Sequence, residues 1–168
     1  MIEIVLATLA DLAAIDAIIK KVTARMLELD IQQWNDQYPS KVIIEKDIQA
    51  GELFVAKQAN KCLGTITING EQEDQYQNIK WTIPLKNPLV IHRLAVDPSA
   101  QGLGIGKQLC IFAEQFAQQN NYDGIRLDTY SGNPISIKLY QALAYHMPEG
   151  HCHFNNKPLP FYCFEKSV

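Results

Sequence analysis

Three glycines at alternating positions, Gly102, Gly104 and Gly106, stand in the run Leu94-Ala95-Val96-Asp97-Pro98-Ser99-Ala100-Gln101-Gly102-Leu103-Gly104-Ile105-Gly106-Lys107, where a β-type segment hands over to a helical pattern. At a helix N-terminus several backbone N–H groups have no internal partner and the dipole is positive, so an anion is attracted. Glycine lets that anion come close to the backbone. The placement predicts a turn that binds a phosphate-bearing ligand. Two phosphate motifs do not fit it. Gly106-Lys107 is followed by Gln108, where a P-loop needs Ser or Thr, and Lys107 stands where the dinucleotide fingerprint G-x-G-x-x-G needs its last glycine.

Other reactive side chains are less promising. His151, Cys152 and His153 supply two imidazoles on one strand face, short of the four ligands usual in a structural zinc site, so no metal is expected. Cys110 lies mid-helix beside Leu109 and Ile111 as a buried, inert thiol. The four cysteines are widely scattered, with neither C-x-x-C spacing nor disulfide-scaffold density, and are read as reduced and buried.

The elements that must position this turn follow from periodicity. Ile2 to Leu6 is a β-type run, and Thr8 with Asp11 three residues on reads as a capping box. Leu12, Ile15, Ile19, Val22, Met26 and Leu29 then recur at helical intervals. Ser40 caps a second helix that ends at Gly51. Glu52 to Lys57 and Cys62 to Ile68 form a hairpin, with Gly64, Ile66 and Ile68 alternating against Thr65 and Thr67 as a half-buried strand would. Asn69 to Lys80 is a polar loop. Val90 to Val96 is a strand, and the helix after the glycines buries Ile105, Leu109, Phe112, Ala113 and Phe116. Gly124 to Thr129 is the next strand, Asn133-Pro134 opens a helix through Ala144, and Phe161 to Phe164 closes the chain as a strand. The order β-α-α-β-β-β-α-β-α-β predicts one mixed α/β domain over residues 1–168.

Composition narrows the function classes. The chain of 168 residues is 47% hydrophobic and 20% charged, as expected for one globular domain. A net charge of −3 offers no basic face for nucleic acid. No apolar run approaches the roughly 20 residues that span a bilayer, and acidic Glu3 stands where a signal peptide would be basic, so the expected location is the cytosol, without membrane contact.

Gln101-x-x-Gly104-x-Gly106 resembles the Q/R-x-x-G-x-G/A signature of the GNAT superfamily of N-acetyltransferases. The segment Asn133 to Tyr145 is similar to that family's N-x-x-A-x-x-L-Y-x-x-x-G-F, with Ser136 in place of alanine and Ala144-Tyr145 in place of Gly-Phe. The resemblance covers roughly Val90 to Tyr145. It implies a central mixed, mostly antiparallel sheet with splayed central strands flanked by helices, and acetyl-CoA as co-substrate. The pantetheine arm would pair with Leu94, Ala95 and Val96, with a backbone N–H near Val96 at the thioester oxygen. The pyrophosphate would rest on Gln101, Gly102, Leu103, Gly104, Ile105, Gly106 and Lys107. Tyr140 matches the tyrosine that protonates the departing thiolate, and Asn133 could both contact pantetheine amides and cap its helix.

Some members carry a glutamate base where this chain has Val90, so the base must lie elsewhere. A lysine-type amine, with a reference pKa near 10.4, is protonated at neutral pH and must lose a proton before attack. His92 is the leading candidate, because in a regular strand it shares a face with Val90, Leu94 and Val96 and imidazole titrates near neutrality. Glu71, Glu73 or a chain of waters are the alternatives. The resemblance places substrate selection at Trp34, Tyr38 and the loop Glu71 to Trp81, where aromatics plus carboxylates suit a cationic amine. The acceptor would be an amine of a small molecule or peptide. The rivals are a CoA-binding sensor without productive catalysis, a transferase of longer acyl groups, and one acting on protein N-termini. The closing strand could pair within its own chain or with a partner subunit in a homodimer.

Overall fold

The computed structural model describes all 168 residues. After strand β1 (Glu3–Leu6), Thr8 and Asp11 form the expected capping box, and a short 3-10 turn leads into helix α1 (Leu12–Glu28). The Ser40 hydroxyl accepts from the Ile43 amide at 3.3 Å and starts helix α2 (Lys41–Gln49), and Gly51 stops it in the left-handed region with φ 73°. Strands β2 (Leu53–Gln58), β3 (Lys61–Asn69) and β4 (Pro88–Val96) follow, then helix α3 (Ile105–Gln119) and strand β5 (Gly124–Tyr130). Asn133 caps helix α4 (Pro134–Ala142), and strands β6 (His151–Cys152) and β7 (Phe161–Ser167) complete the chain.

These strands make one seven-stranded sheet in the order β1-β2-β3-β4-β5-β7-β6, antiparallel except for the parallel pair β4 and β5. Helices α1 and α2 cover one face through Ile15, Ile19, Ile44 and Ile48; α3 and α4 cover the other through Ile105, Leu109, Ala113 and Tyr140. The mixed α/β architecture is the one expected. Strand β7 pairs with β5 of its own chain. No helix is long and apolar enough to cross a membrane.

Four details depart from expectation. Strand β3 is buried along nearly its whole length, because helices cover both faces; its threonines face the α1/α2 layer, where the Thr67 hydroxyl donates to Asp47 at 2.9 Å. The polar loop contains a 3-10 turn at Asp74–Asn78, and β6 is an additional strand of two residues. Helix α4 stops at Ala142, and Ala144, standing in place of glycine, takes φ 60°.

Two irregularities in β4 shape the site. The strand pairs with β5 only from Pro88↔Gly124 to Ile91↔Leu127, after which the two diverge. On its other side, Thr65 pairs with Ala95 and Thr67 with His92, so Arg93 and Leu94 together oppose Ile66 in a β-bulge, with Arg93 at φ 47°. The bulge flips the strand's alternation. Leu94 and Val96 pack toward α3, while Ala95 joins the α1 cluster and Val90 stays on that α1 side. His92 therefore does not share a face with Leu94 and Val96, as a regular strand would require.

Candidate active site

The splay between β4 and β5 opens a cleft of about 440 Å³. Beyond the cleft's lining, past the end of β4, lies the glycine turn. Gly102 (φ 83°) and Gly104 (φ 73°) adopt the left-handed conformation that glycine tolerates, and Gly104 is the N-cap of α3. The first α3 amide to find a backbone partner is that of Gln108, which donates to the Gly104 carbonyl at 3.0 Å; the amides of Gly102 through Lys107 donate to nothing in the chain. The third glycine serves packing, since a Cβ on Gly106 would lie 3.4 Å from Leu139 and 3.7 Å from Val96, where α3 meets α4 and β4. Asp97, just before the turn, accepts from the Ser99 amide (2.9 Å) and hydroxyl (2.7 Å) and from Lys21 Nζ (2.9 Å). Burial would raise its pKa, but these donors hold it at about 2.

Leu94, Ala95 and Val96 lie on the β4 edge that has no strand partner toward β5. Opposite them, Tyr140 reaches the cleft from α4. Its ring is buried edge-on to Tyr145 (centroids 5.7 Å) and tilted on Phe164 (5.5 Å), and its hydroxyl has no hydrogen-bond partner in the chain. Burial raises its pKa well above the usual tyrosine value. Asn133 does cap α4, with Oδ1 accepting from the Ser136 amide at 3.2 Å, while its Nδ2 donates to Gln33 at 2.7 Å.

The cleft away from the turn is assembled from distant segments. His92 lies there with Nε2 2.9 Å from Asn69 Oδ1; since Asn69 Nδ2 donates to Glu52 at 2.8 Å, Oδ1 is the acceptor and His92 Nε2 carries the proton. Burial first, then the Arg93 cation, lower its pKa to about 4, so the imidazole does not titrate near neutrality as expected. Arg93 turns from the bulge to α2, where Nε and Nη2 bond Asp47 at 2.7 and 3.0 Å, and its Nη1 donates to the Tyr38 hydroxyl at 3.2 Å. Tyr38 is exposed, whereas Trp34 is buried in the α1/α2 cluster and shows an edge to the cleft. Glu73 lines the cleft; Glu71 does not.

Sequence reading passed over Asp128. Its Oδ2 accepts from the Tyr76 hydroxyl at 2.7 Å, and burial, partly opposed by that bond and reinforced by Glu73, pushes its pKa up to about 6. The available signal was a carboxylate alternating with Ile125 and Leu127 in the strand before Asn133. The Arg93–Asp47 pair left no such mark, because its partners are 46 residues apart.

The profile of the Acetyltransferase (GNAT) family matches residues 20–145, which include both the glycine turn and α4. The chain belongs to the GNAT acetyltransferase family. Solved structures share the GNAT fold over nearly the whole chain. A GNAT-family acetyltransferase of Streptococcus agalactiae 2603 is 20% identical with a TM-score of 0.84, the match covering 99% of this chain and 95% of that one. The PaiA N-acetyltransferase of Thermoplasma acidophilum, solved in complex with coenzyme A, is 15% identical with a TM-score of 0.73 over 100% and 99%. The ribosomal-protein-S18-alanine N-acetyltransferase of Escherichia coli is 16% identical with a TM-score of 0.72 over 100% and 94%. GNAT enzymes use acetyl-CoA. This chain fits such a donor: a row of amides without partners meets the need of a pyrophosphate, and the open β4 edge that of an amide-bearing arm.

Proposed function

We propose that this protein is a cytosolic N-acetyltransferase that moves the acetyl group of acetyl-CoA to a primary amine of a small molecule or peptide, by direct attack without an acetyl-enzyme. The observation that carries this reading is the convergence, in one cleft, of the open β4 edge and the Tyr140 hydroxyl with no partner in the chain. Acetyl-CoA, when bound, supplies an acetyl group activated as a thioester. The amides of Gly102 through Lys107 would hold its pyrophosphate, and Leu94, Ala95 and Val96 its pantetheine arm. Tyr140 holds a proton at Oη throughout the working pH range and gives it to the leaving sulfur. His92, neutral, lines the same cleft, while Trp34 and Tyr38 form the wall toward the amine.

The test is thiol release from acetyl-CoA by purified protein across alkylamines, diamines, amino-acid amides and peptides with free N-termini or lysines, with products read by mass spectrometry. The expected result is release with at least one amine and an N-acetyl product. Tight acetyl-CoA binding with no release across the panel would instead assign the protein to the class of CoA sensors. A panel of longer acyl-CoAs checks the preference for acetyl.

A further inference from the structure

One carboxylate in the cleft has no part in the roles above. Asp128 follows Leu127, the last β5 residue to pair with β4, so it stands first on the β5 side of the opening, as His92 does on the β4 side. Its Oδ2 is occupied by the Tyr76 hydroxyl, while Oδ1 has no partner in the chain and belongs to a half-buried side chain lining the cleft. No lysine or arginine pairs with it. Tyr76 is itself fixed: its ring is buried edge-on to Trp81 at 5.3 Å, and the Trp81 indole N–H donates to the Tyr76 carbonyl at 3.0 Å. A rigid carboxylate with one oxygen engaged and the other turned to the cleft is placed to receive a proton.

We propose that Asp128 is the catalytic base, its Oδ1 taking the proton from the acceptor ammonium, with Tyr76 as the positioning residue that holds Oδ2. The proposal rests on the amine-acceptor reading above. An ammonium must lose two protons overall. Asp128 takes the first, and the freed nitrogen forms the C–N bond to the acetyl carbon as the C–S bond breaks. Tyr140 protonates the sulfur, the second proton from nitrogen restores the Tyr140 phenol, and Asp128 passes its proton to water.

The surroundings agree with this division. Tyr76 and Glu73 face Asp128 from the segment before β4, Arg126 lies two residues back on its own strand, Cys163 pairs with it from β7, and Tyr140 and His92 approach from α4 and β4. Held at about 6 against about 4 for His92, Asp128 is the stronger base by about a hundredfold and is about nine-tenths ionised at pH 7.

The experiment measures kcat/KM from pH 5 to 9, with the best amine of the panel, for the wild type, Asp128→Asn, Tyr76→Phe and His92→Gln. Carbon-13 NMR titration of the Asp128 carboxyl in the free protein and calorimetry of CoA binding accompany it. Expected are an acidic limb with a midpoint near 6 in both rate and NMR, and a loss of about a hundredfold or more at pH 7 in Asp128→Asn with CoA affinity retained. Removing the Tyr76 hydroxyl removes a bond that favours the carboxylate, so the midpoint in Tyr76→Phe moves to higher pH; in His92→Gln it stays. The proposal is overturned if Asp128→Asn keeps the rate and the limb, if the carboxyl titrates near 4, or if Tyr76→Phe leaves the midpoint in place. Wild-type protein that releases no thiol with any amine would bring down the transferase reading itself, an outcome distinct from an active enzyme indifferent to Asp128.

Discussion

The glycine turn and the cleft beyond it are built on different principles. The turn and the strand leading to it are made of backbone: consecutive amides at the start of α3, two left-handed glycines and an open strand edge. The cleft is made of side chains and their supports, drawn from α2, the loop before β4, β4 and β5. Their carboxylates carry the same contrast. Asp97, beside the turn, is surrounded by donors and held at about 2; Asp128, in the cleft, has one donor and a neighbouring carboxylate and rises to about 6. A backbone site is fixed by local sequence, whereas a side-chain site depends on packing between distant elements.

The largest effect that tests this contrast is loss of Asp47. Its carboxylate holds Arg93 bidentately and accepts from Thr67 in the interior, so Asp47→Ala leaves a partly buried cation unpaired and should cost about 3–5 kcal/mol in urea unfolding. In whatever fraction remains folded, amine KM should rise while CoA affinity persists. Equal damage to both ligands would show that the turn and the cleft are not separable.

Tyr140→Phe sharpens the point where they meet. Its hydroxyl has no partner in the chain, so removal should leave the melting temperature nearly unchanged while kcat falls about a hundredfold. A drop in stability with kcat intact would make Tyr140 a packing residue.

Acid titration should separate the two carboxylates by sign. The pKa of Asp97 is depressed on folding, so its contribution, about 2 kcal/mol, is full above pH 4 and lost as the pH falls through about 2. The pKa of Asp128 is raised, so stability is gained as the pH falls from about 6 to about 4. Asp97→Asn should therefore lower the melting temperature at pH 7, and Asp128→Asn should hold or raise it.

Reading the sequence reached the backbone half of this molecule and fell short of the other. The α1 stripe, the Ser40 and Asn133 caps and the glycine turn were legible because each is set by residues within a few positions of one another. The β4 bulge was not, since Leu94-Ala95-Val96 looks like any regular strand, and the Arg93 to Asp47 bond that accompanies it joins residues far apart in the chain. Nor was the pairing of Tyr76 with Asp128, which arises only when the loop before β4 folds over β5. Strand β6 escaped because two residues carry no period.

The smallest predicted effect concerns a departure that was legible. Ala144 stands where the family signature has glycine and takes φ 60°, so Ala144→Gly relieves left-handed strain and should add up to about 1 kcal/mol to stability, leaving catalysis unchanged.

The most direct test of the donor site is isothermal titration of acetyl-CoA into the wild type and into Gly104→Glu, whose side chain and negative charge would enter the row of free amides. The prediction is saturable binding by the wild type and none by the folded variant. Equal binding by both, or no binding by the wild type, would contradict it.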